Sequence, residues 1–428
     1  MPDHPRAVVV VTGSELVRGA RRDLNGPFLA QELLDLGVEP AQIVIVGDRL
    51  DELERAVEEA LEKDIAVFSG GLGPTHDDRT IETIARLAGR ALVVDKELER
   101  EIEAVSRRVA ERLGRPYHDF AAGVTKQASV PEGAVPLGLA GTAPAVLLEH
   151  DQRVAIALPG PPGELRRLWP NAVEHPAFRR VLERARPREH RVLRFFGPSE
   201  SAVARVLGDE GGDGDGVEVT VRARDLELHV DLYFEPDSAA RAAALEHTLH
   251  ETFHDQLFAR DERPVEELVL ALCREQGLTL ATAESCTGGL VGTRLTAIPG
   301  ASDVFLGGVI AYADDVKLTS LGVGADVLDQ HGAVSAETAA AMADGARSSL
   351  GADVAVAVTG VAGPAGGTPE KPVGLVFIHA RSPRGERAQG LQLPGDREAI
   401  RARATVAALH LLRQLLTHSG TNEDGVAR

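Results

Sequence analysis

Cysteine is nearly absent: Cys273 and Cys286 are the only two in 428 residues. Two are too few for a disulfide framework or a thiolate metal site, so a reducing, cytoplasmic setting is expected. Long apolar runs are absent too, and no stretch approaches the roughly 18 apolar residues that suggest a membrane span. The opening run Ala7–Val11 is very short and gives way at once to Thr12-Gly13-Ser14-Glu15, which is no signal-peptide pattern. Positive charge is outnumbered: 46 Lys and Arg stand against 65 Asp and Glu, a formal net charge of −19. That balance favours solubility and disfavours non-specific nucleic-acid binding. Neither a membrane nor a direct nucleic-acid partner is therefore expected. No segment repeats at a fixed period.

What is present is globular, with 43% apolar and 26% charged residues. At roughly 100–200 residues per domain, the length implies two or three. Short β-branched runs alternate with helical patterns at the start: strands at Ala7–Val11, Gln42–Val46 and Ile65–Phe68, helices at Asn25–Leu36 and Leu50–Leu61. Continuous apolar strands separated by helices predict a parallel sheet covered on both faces. After Leu158-Pro159-Gly160-Pro161-Pro162-Gly163 the texture changes. Strands at Val192–Phe196, Val217–Val221 and Leu226–Phe234 with a helix at Ala239–Phe253 predict a small α+β module. From Pro264 the α/β rhythm returns, with strands at Thr279–Ala283, Gly307–Ala311, Asp353–Val358 and Val373–His379. Helices are expected at Val265–Glu275, Ser335–Ser349 and Arg397–Leu416, the second capped by Ser335 and Thr338. The fold class is thus α/β, two α/β domains with mostly parallel sheets joined by a small α+β domain. The boundaries are 1–170, 171–262 and 263–418, with 419–428 a polar, frayed tail.

Three glycine-bearing loops follow strands of the first domain: Gly13-Ser14-Glu15-Leu16, Gly70-Gly71-Leu72-Gly73-Pro74-Thr75 and Pro159-Gly160-Pro161-Pro162. Open parallel sheets bind ligands where strand carboxyl ends meet helix starts, and glycines there let backbone N–H groups approach a phosphate. The pair Asp77-Asp78 at that edge suits a divalent cation bridging a diphosphate. The blander reading is that the glycines make turns and the acids cap a helix.

In the third domain, Thr282-Ala283-Glu284-Ser285-Cys286-Thr287-Gly288-Gly289 sits at a strand-to-helix turn, which exposes a hydroxyl beside backbone N–H groups. A serine nucleophile needs a proton acceptor. No histidine lies nearby in sequence, but Tyr312 and Lys317 follow the next strand and can carry protons. The loop Thr359-Gly360-Val361-Ala362-Gly363-Pro364 can hold a carbonyl oxygen or a phosphate. Arg397, with Arg401 one turn on, can clamp a phosphate. Against this stand common structural uses: Ser285 as a helix cap, Cys286 as a competing nucleophile or small buried residue, Lys317 as a surface charge.

The first stretch, Ala7 to about Trp169, resembles the CinA family's molybdopterin-cofactor-binding-like domain. The shared patterns are Gly13-Ser14-Glu15-Leu16, Gly70–Asp78, Ala140-Gly141-Thr142-Ala143-Pro144 and Leu158–Pro162. The resemblance implies metal-dependent hydrolysis of ADP-ribose. Glu15, Asn25, Gly70, Gly71, Gly73, Thr75, Lys126, Pro159 and Gly160 would surround the nucleotide. Asp77 and Asp78 would hold magnesium, manganese or cobalt. Asp23-Leu24-Asn25 stands where the family commonly has N-T-N, and Gly123–Ala128 where it has N-R-K-Q-A. Residues Arg188 to Asp261 match the family's KH-like module in position and texture. Their glycine loop Gly211–Gly216 is acidic and would repel a phosphate backbone, so a structural role is expected.

From Val265 to about Leu416 the chain resembles the CinA carboxy-terminal domain, the nicotinamide-nucleotide amidase family. The carriers are Thr282–Gly289, Tyr312 with Lys317, His331–Ser335, Thr359–Pro364 and Glu370–Gly374. The resemblance implies deamidation of nicotinamide mononucleotide (NMN) within NAD salvage, without a cofactor, by a homodimer. Ser285, Tyr312 and Lys317 match catalytic positions, and Gly300, Ser302, Thr359 and Arg397 match binding positions, with Gly360 and Arg401 beside them. Ala313-Asp314 replaces a common S-N after the tyrosine. Each α/β segment carries its own strand-end loops, which predicts that a chain beginning near Arg260 keeps full deamidase activity. The rival reading is a non-enzymatic nucleotide-binding protein associated with competence or DNA damage.

Overall fold

Alternation along single strands explains how the first sheet is covered on both faces. Val9 and Val11 join an apolar cluster with Leu29, Leu33, Leu165, Trp169 and Phe178. Val8 and Val10 face the other way, toward Leu53, Val57, Ala60 and Ile84. Ile65–Ser69 and Arg153–Leu158 divide their side chains similarly, so Ile65–Ser69 is buried throughout and Arg153–Leu158 everywhere but at Arg153. The computed structural model describes residues 4–186 and 188–417, and the chain splits after Glu189 into two compact units. The tail expected to fray, 419–428, lies outside the described residues.

In the first unit, Glu39–Val46, Arg6–Thr12, Ile65–Ser69 and Arg153–Leu158 are neighbours in that order and run parallel. Pro144–His150 and Val135–Leu139 extend the sheet antiparallel. Gly13, Gly70 and Pro159, which follow three of the parallel strands, therefore meet at one edge. The turn at Gly70 requires glycine: its φ is +95°, and a Cβ would lie 2.8 Å from the Thr12 carbonyl oxygen. The helices Pro162–Glu174 and Pro176–Leu182 pack Trp169 and Phe178 edge to face into this unit's core. The first unit therefore runs past residue 170, where the sequence placed its end.

The second unit holds two sheets. The smaller has the order Val217–Arg224, Glu227–Phe234, Glu189–Phe196, Leu257–Ala259 and is covered by the helices Glu200–Asp209 and Ala239–Phe253. The larger has the order Phe305–Ile310, Leu280–Glu284, Val354–Gly360, Leu375–Ser382, Gly385–Gln392. Its first three strands are parallel and its last two antiparallel. Gly385–Gln392 went unread in the sequence because Gly-Glu-Arg-Ala-Gln-Gly-Leu-Gln is an edge strand with no buried face. Val354, Val356 and Val358 face the helices Val265–Gln276 and Arg397–Thr417. Ala355 and Ala357 face the alanine-rich helix Ala336–Leu350, where Gly345 lets the backbone at Leu321 come close. Ser335 caps that helix, as expected, by accepting from the Thr338 amide at 3.1 Å.

The two sheets share contacts. His410, on the helix Arg397–Thr417, is fully buried. It stacks on Phe196 at 3.9 Å, meets Phe258 edge to face, and bonds Glu227 Oε1 at 2.7 Å. The middle and third segments are thus one packed body. Among the described residues, no helix is long and apolar enough to cross a membrane.

Candidate active site

Ser285 follows the strand Leu280–Glu284, which lies between Phe305–Ile310 and Val354–Gly360, and its amide donates to the Val358 carbonyl at 2.9 Å. The neighbouring strand ends flank it. On one side, the Ala311 amide bonds the Glu284 carbonyl and sets Tyr312 beside the loop; on the other lies Thr359-Gly360. Ser285 is 9% exposed, and among the described residues no side chain or backbone group hydrogen-bonds its Oγ. Its hydroxyl is therefore not spent as a helix cap. The cap of the helix Leu290–Thr296 is Glu284 instead. Its buried carboxylate accepts from the amides of Gly289, Val291 and Gly292 at 2.9, 3.1 and 2.8 Å.

Lys317 is 1% exposed, which rules out the surface-charge reading. Its Nζ donates to Asp314 Oδ1 at 3.1 Å and lies 3.5 Å from the Tyr312 carbonyl. Asp314 is the departure from the common S-N pair, and it sets a carboxylate against the buried Nζ. Tyr312 is 58% exposed, and its hydroxyl accepts from Arg397 Nη2 at 2.6 Å. Arg397 Nη1 donates to the Gly363 carbonyl at 2.6 Å. One guanidinium therefore spans from the Tyr312 side of Ser285 to the Thr359–Pro364 side. The Thr359 hydroxyl donates to the Ala333 carbonyl at 2.6 Å. Gly360 packs on the Leu375 backbone so closely that a Cβ would sit 2.7 Å from its oxygen.

Two groupings made from the sequence are not met within one chain. Gly300 and Ser302 precede the strand Phe305–Ile310, whose first residue pairs with Leu280. They lie at the opposite end of the sheet from Ser285, a strand of five residues away, roughly 16 Å. Arg401 does not point free for a phosphate: it donates to the Cys286 carbonyl at 3.0 Å and the Thr287 carbonyl at 2.7 Å. Cys286 is a weak rival to Ser285, because burial pushes its thiol up to about 11 and leaves little thiolate at neutral pH. Iodoacetamide should accordingly leave turnover unchanged; rapid inactivation with alkylation mapped to Cys286 would reverse that assignment.

The glycine loops of the first unit line a cleft of about 770 Å³. Glu15, Asn25, Gly70, Gly71, Gly73, Asp77, Asp78 and Gly160 are on its wall. Thr75 and Pro159 are not, and Lys126 lines a smaller recess of about 160 Å³ beside it. Thr75 ties the loop together: its hydroxyl bonds Asp77 and Asp78, its amide donates to Asp78 at 3.0 Å, and its carbonyl accepts from Lys126. That hydroxyl bond is the largest influence holding the Asp77 carboxyl below its usual range. Asn25 Nδ2 donates to Ser69 Oγ at 2.9 Å and the Gly160 carbonyl at 2.7 Å, while its buried Oδ1 has no partner.

Sequence reading missed Asp23, Asp48 and Glu164 on the same wall. Burial pushes the Glu164 carboxyl up. Gly141 makes room for it, since a Cβ there would lie 2.4 Å from Glu164 Oε1. The signal available was the position of Glu164 in the first turn after the Pro159–Gly163 loop. The wall carries six carboxylates against Arg21 and Arg22. Among the described residues no group of three or more His, Cys, Asp or Glu forms a metal cage. A cation at Asp77 and Asp78 would thus rest on those two carboxylates and on oxygens of the ligand.

Comparison with known proteins agrees with both halves. The family model of the CinA C-terminal domain matches residues 262–416, and that of a probable molybdopterin binding domain matches residues 8–180. The CinA-like protein of Mycolicibacterium paratuberculosis is 42% identical over 435 residues, covering 97% of this chain and 100% of its own. The CinA-like protein of Mycobacterium tuberculosis is 40% identical over 425 residues, 96% of this chain and 97% of its own. A crystal structure of the competence/damage inducible protein CihA from Agrobacterium tumefaciens is 40% identical, with a TM-score of 0.35, covering 38% of this chain and all of that one. Matched at this identity over nearly its whole length, the chain belongs to the CinA family.

Proposed function

We propose that the third segment, residues 263–418, is an amidase that converts NMN and water to nicotinate mononucleotide and ammonia. The observation that carries the reading is an unengaged, nearly buried serine hydroxyl between Tyr312 with Lys317 on one side and the Thr359–Pro364 loop on the other. Membership of the CinA family, whose C-terminal domain model fits this segment, supports it. Ser285 Oγ attacks the carboxamide carbon as its proton passes to Lys317 Nζ, acting as the neutral amine, and Nζ then returns that proton, with Tyr312 alongside, to the amide nitrogen. The C–N bond breaks as the nitrogen takes up a proton and leaves as ammonia. Water then cleaves the ester and restores Ser285. A mechanism in which Ser285 only orients a water forms no ester, and trapping with hydroxylamine separates the two. This hydrolysis needs no cofactor. Purified protein incubated with NMN should release ammonia stoichiometric with nicotinate mononucleotide; no release sinks the reading.

The enzyme is further proposed to act in the cytoplasm as a homodimer. The edge strand Phe305–Ile310 leaves Leu306 and Ile310 about half exposed on an open sheet edge, a surface that proteins usually cover. Light scattering should give twice the chain mass.

The first unit is read as a nucleotide site for ADP-ribose, with hydrolysis as its second activity. Six carboxylates around the cleft would repel a bare diphosphate, so binding should depend strictly on magnesium, manganese or cobalt. Asp78→Ala should weaken ADP-ribose binding in the presence of metal, measured by calorimetry. Equal affinity with and without metal would remove the cation from this site.

A further inference from the structure

The helix Arg397–Thr417 brings two arginines to the Ser285 edge one turn apart, and they do different things. Arg397 reaches across the site to Tyr312 and Gly363. Arg401 reaches beneath it, to the two peptide units that follow the serine. Resting on the amidase reading above, we infer that Arg401 is a positioning residue for the nucleophile and makes no contact with the nucleotide phosphate. It acts by holding the Cys286 and Thr287 carbonyls, and through them the place of Ser285 Oγ.

The loop backbone is that of neither a strand nor a helix, and two turn bonds hold it locally: the Gly288 amide donates to the Ser285 carbonyl at 3.1 Å and the Leu290 amide to the Thr287 carbonyl at 3.4 Å. Gly288 and Gly289 both have positive φ, +59° and +97°. In that conformation the Cys286 and Thr287 carbonyls both face the Arg401 guanidinium. A planar guanidinium suits two adjacent carbonyls, since its Nε and Nη2 donors lie in a fixed fork. The fit is close: a Cβ on Gly288 would stand 3.3 Å from Arg401 Nη2. From the other direction, Glu284 takes the amides of Gly289, Val291 and Gly292. The Ser285 amide itself is held by Val358. Residues 285–292 are thus pinned by their amides through Glu284 and Val358, and by their carbonyls through Arg401. None of these anchors uses Ser285 Oγ, which stays free for substrate. Both Arg401 donors that face the loop are already spent on oxygen acceptors, so a phosphate would have to displace them.

The two roles predict different kinetics. A phosphate contact is shared by bound substrate and transition state, so its loss raises KM. A misplaced nucleophile lowers kcat, and a displacement near 1 Å costs on the order of 10²-fold. Arg401→Ala should reduce kcat for NMN by on the order of 10²-fold and leave KM within about twofold. Arg401→Lys, a point charge able to reach one carbonyl at a time, should fall between wild type and alanine. A tenfold rise in KM with kcat retained would overturn the inference in favour of a phosphate clamp, and so would kinetics unchanged in both parameters. If the alanine variant does not fold, the lysine variant decides on the same criteria. Amide hydrogen exchange gives a readout independent of turnover. The Gly288 and Gly289 amides should lose protection in Arg401→Lys while the strand Val354–Gly360 keeps its own. Unchanged protection overturns the inference, whereas wild-type protein that releases no ammonia from NMN overturns only the amidase reading.

Discussion

Ser285→Ala is expected to fold normally and to lose NMN turnover by on the order of 10²–10⁴. The residue lies at a strand end with no hydrogen bond from its Oγ to hold any part of the structure. Removing that oxygen should therefore leave the melting temperature nearly unchanged. The Ser285 amide bond to Val358 remains, as does the capping by Glu284. Lys317→Ala should reduce turnover similarly but also destabilise the fold, because it leaves a void where a buried chain lay and deprives Asp314 of its partner. Arg397→Ala should change both kinetic constants. The phosphate role proposed from sequence raises KM, while the lost bond to the Tyr312 hydroxyl lowers kcat. Ammonia release followed across these three variants checks the assignment. Near wild-type turnover in Ser285→Ala would show that Ser285 is not the attacking group.

His410→Ala should destabilise the second unit by about 3–5 kcal/mol, the range for loss of a buried aromatic ring. The ring is enclosed by Phe196 and Phe258 and hydrogen-bonded to Glu227. Burial pulls the His410 pKa down to about 4, so at neutral pH the ring is neutral and its Nε2–H donates to the carboxylate. Its Nδ1 is buried without a partner, as an imidazole acceptor can be and an imidazolium donor cannot cheaply be. Glu227 is desolvated as well, yet bonds from His229 and His410 hold its carboxyl down to about 2.

The signs for pH follow from these two groups. Unfolded, the histidine protonates near 6.5 and the carboxylate near 4.5. Between about 6.5 and about 4 the unfolded chain binds a proton at His410 that the folded chain refuses, so stability falls as pH falls. Between about 4.5 and about 2 the same holds for Glu227. Melting temperature should decline across both windows, and Glu227→Gln should make the decline in the lower one shallower. A His410→Ala protein that melts within about a degree of wild type would discount the contact. The same packing bears on a chain beginning at Arg260. It lacks Phe196, Glu227 and Phe258, so it should be markedly less stable than the whole protein, against the independence expected from its strand-end loops.

The elements that position the site were legible because their patterns are local. Ala7–Val11 and Ile65–Phe68 are apolar runs, and Leu50–Leu61 and Ala239–Phe253 carry a helical period, so burial and helix formation follow from spacing alone. The glycine loops and the Ser285 turn were legible as well, since positive φ and a strand-to-helix turn demand particular residues. What became of the long polar side chains was not. Arg401 had the composition of a phosphate clamp, and only the approach of its helix to the Ser285 loop turned its fork onto two carbonyls. Gly300 and Ser302 belonged with Ser285 by resemblance, yet a parallel strand carries them to the far end of the sheet. Glu227 and His410, 183 positions apart, form a buried pair that no spacing rule reaches. Sequence by itself determined which apolar-patterned segments form strands and helices and bury a face, because that pattern lies in neighbours along the chain. The tertiary structure alone decided which partner each charged side chain found, because that depends on groups distant in sequence meeting where water is excluded.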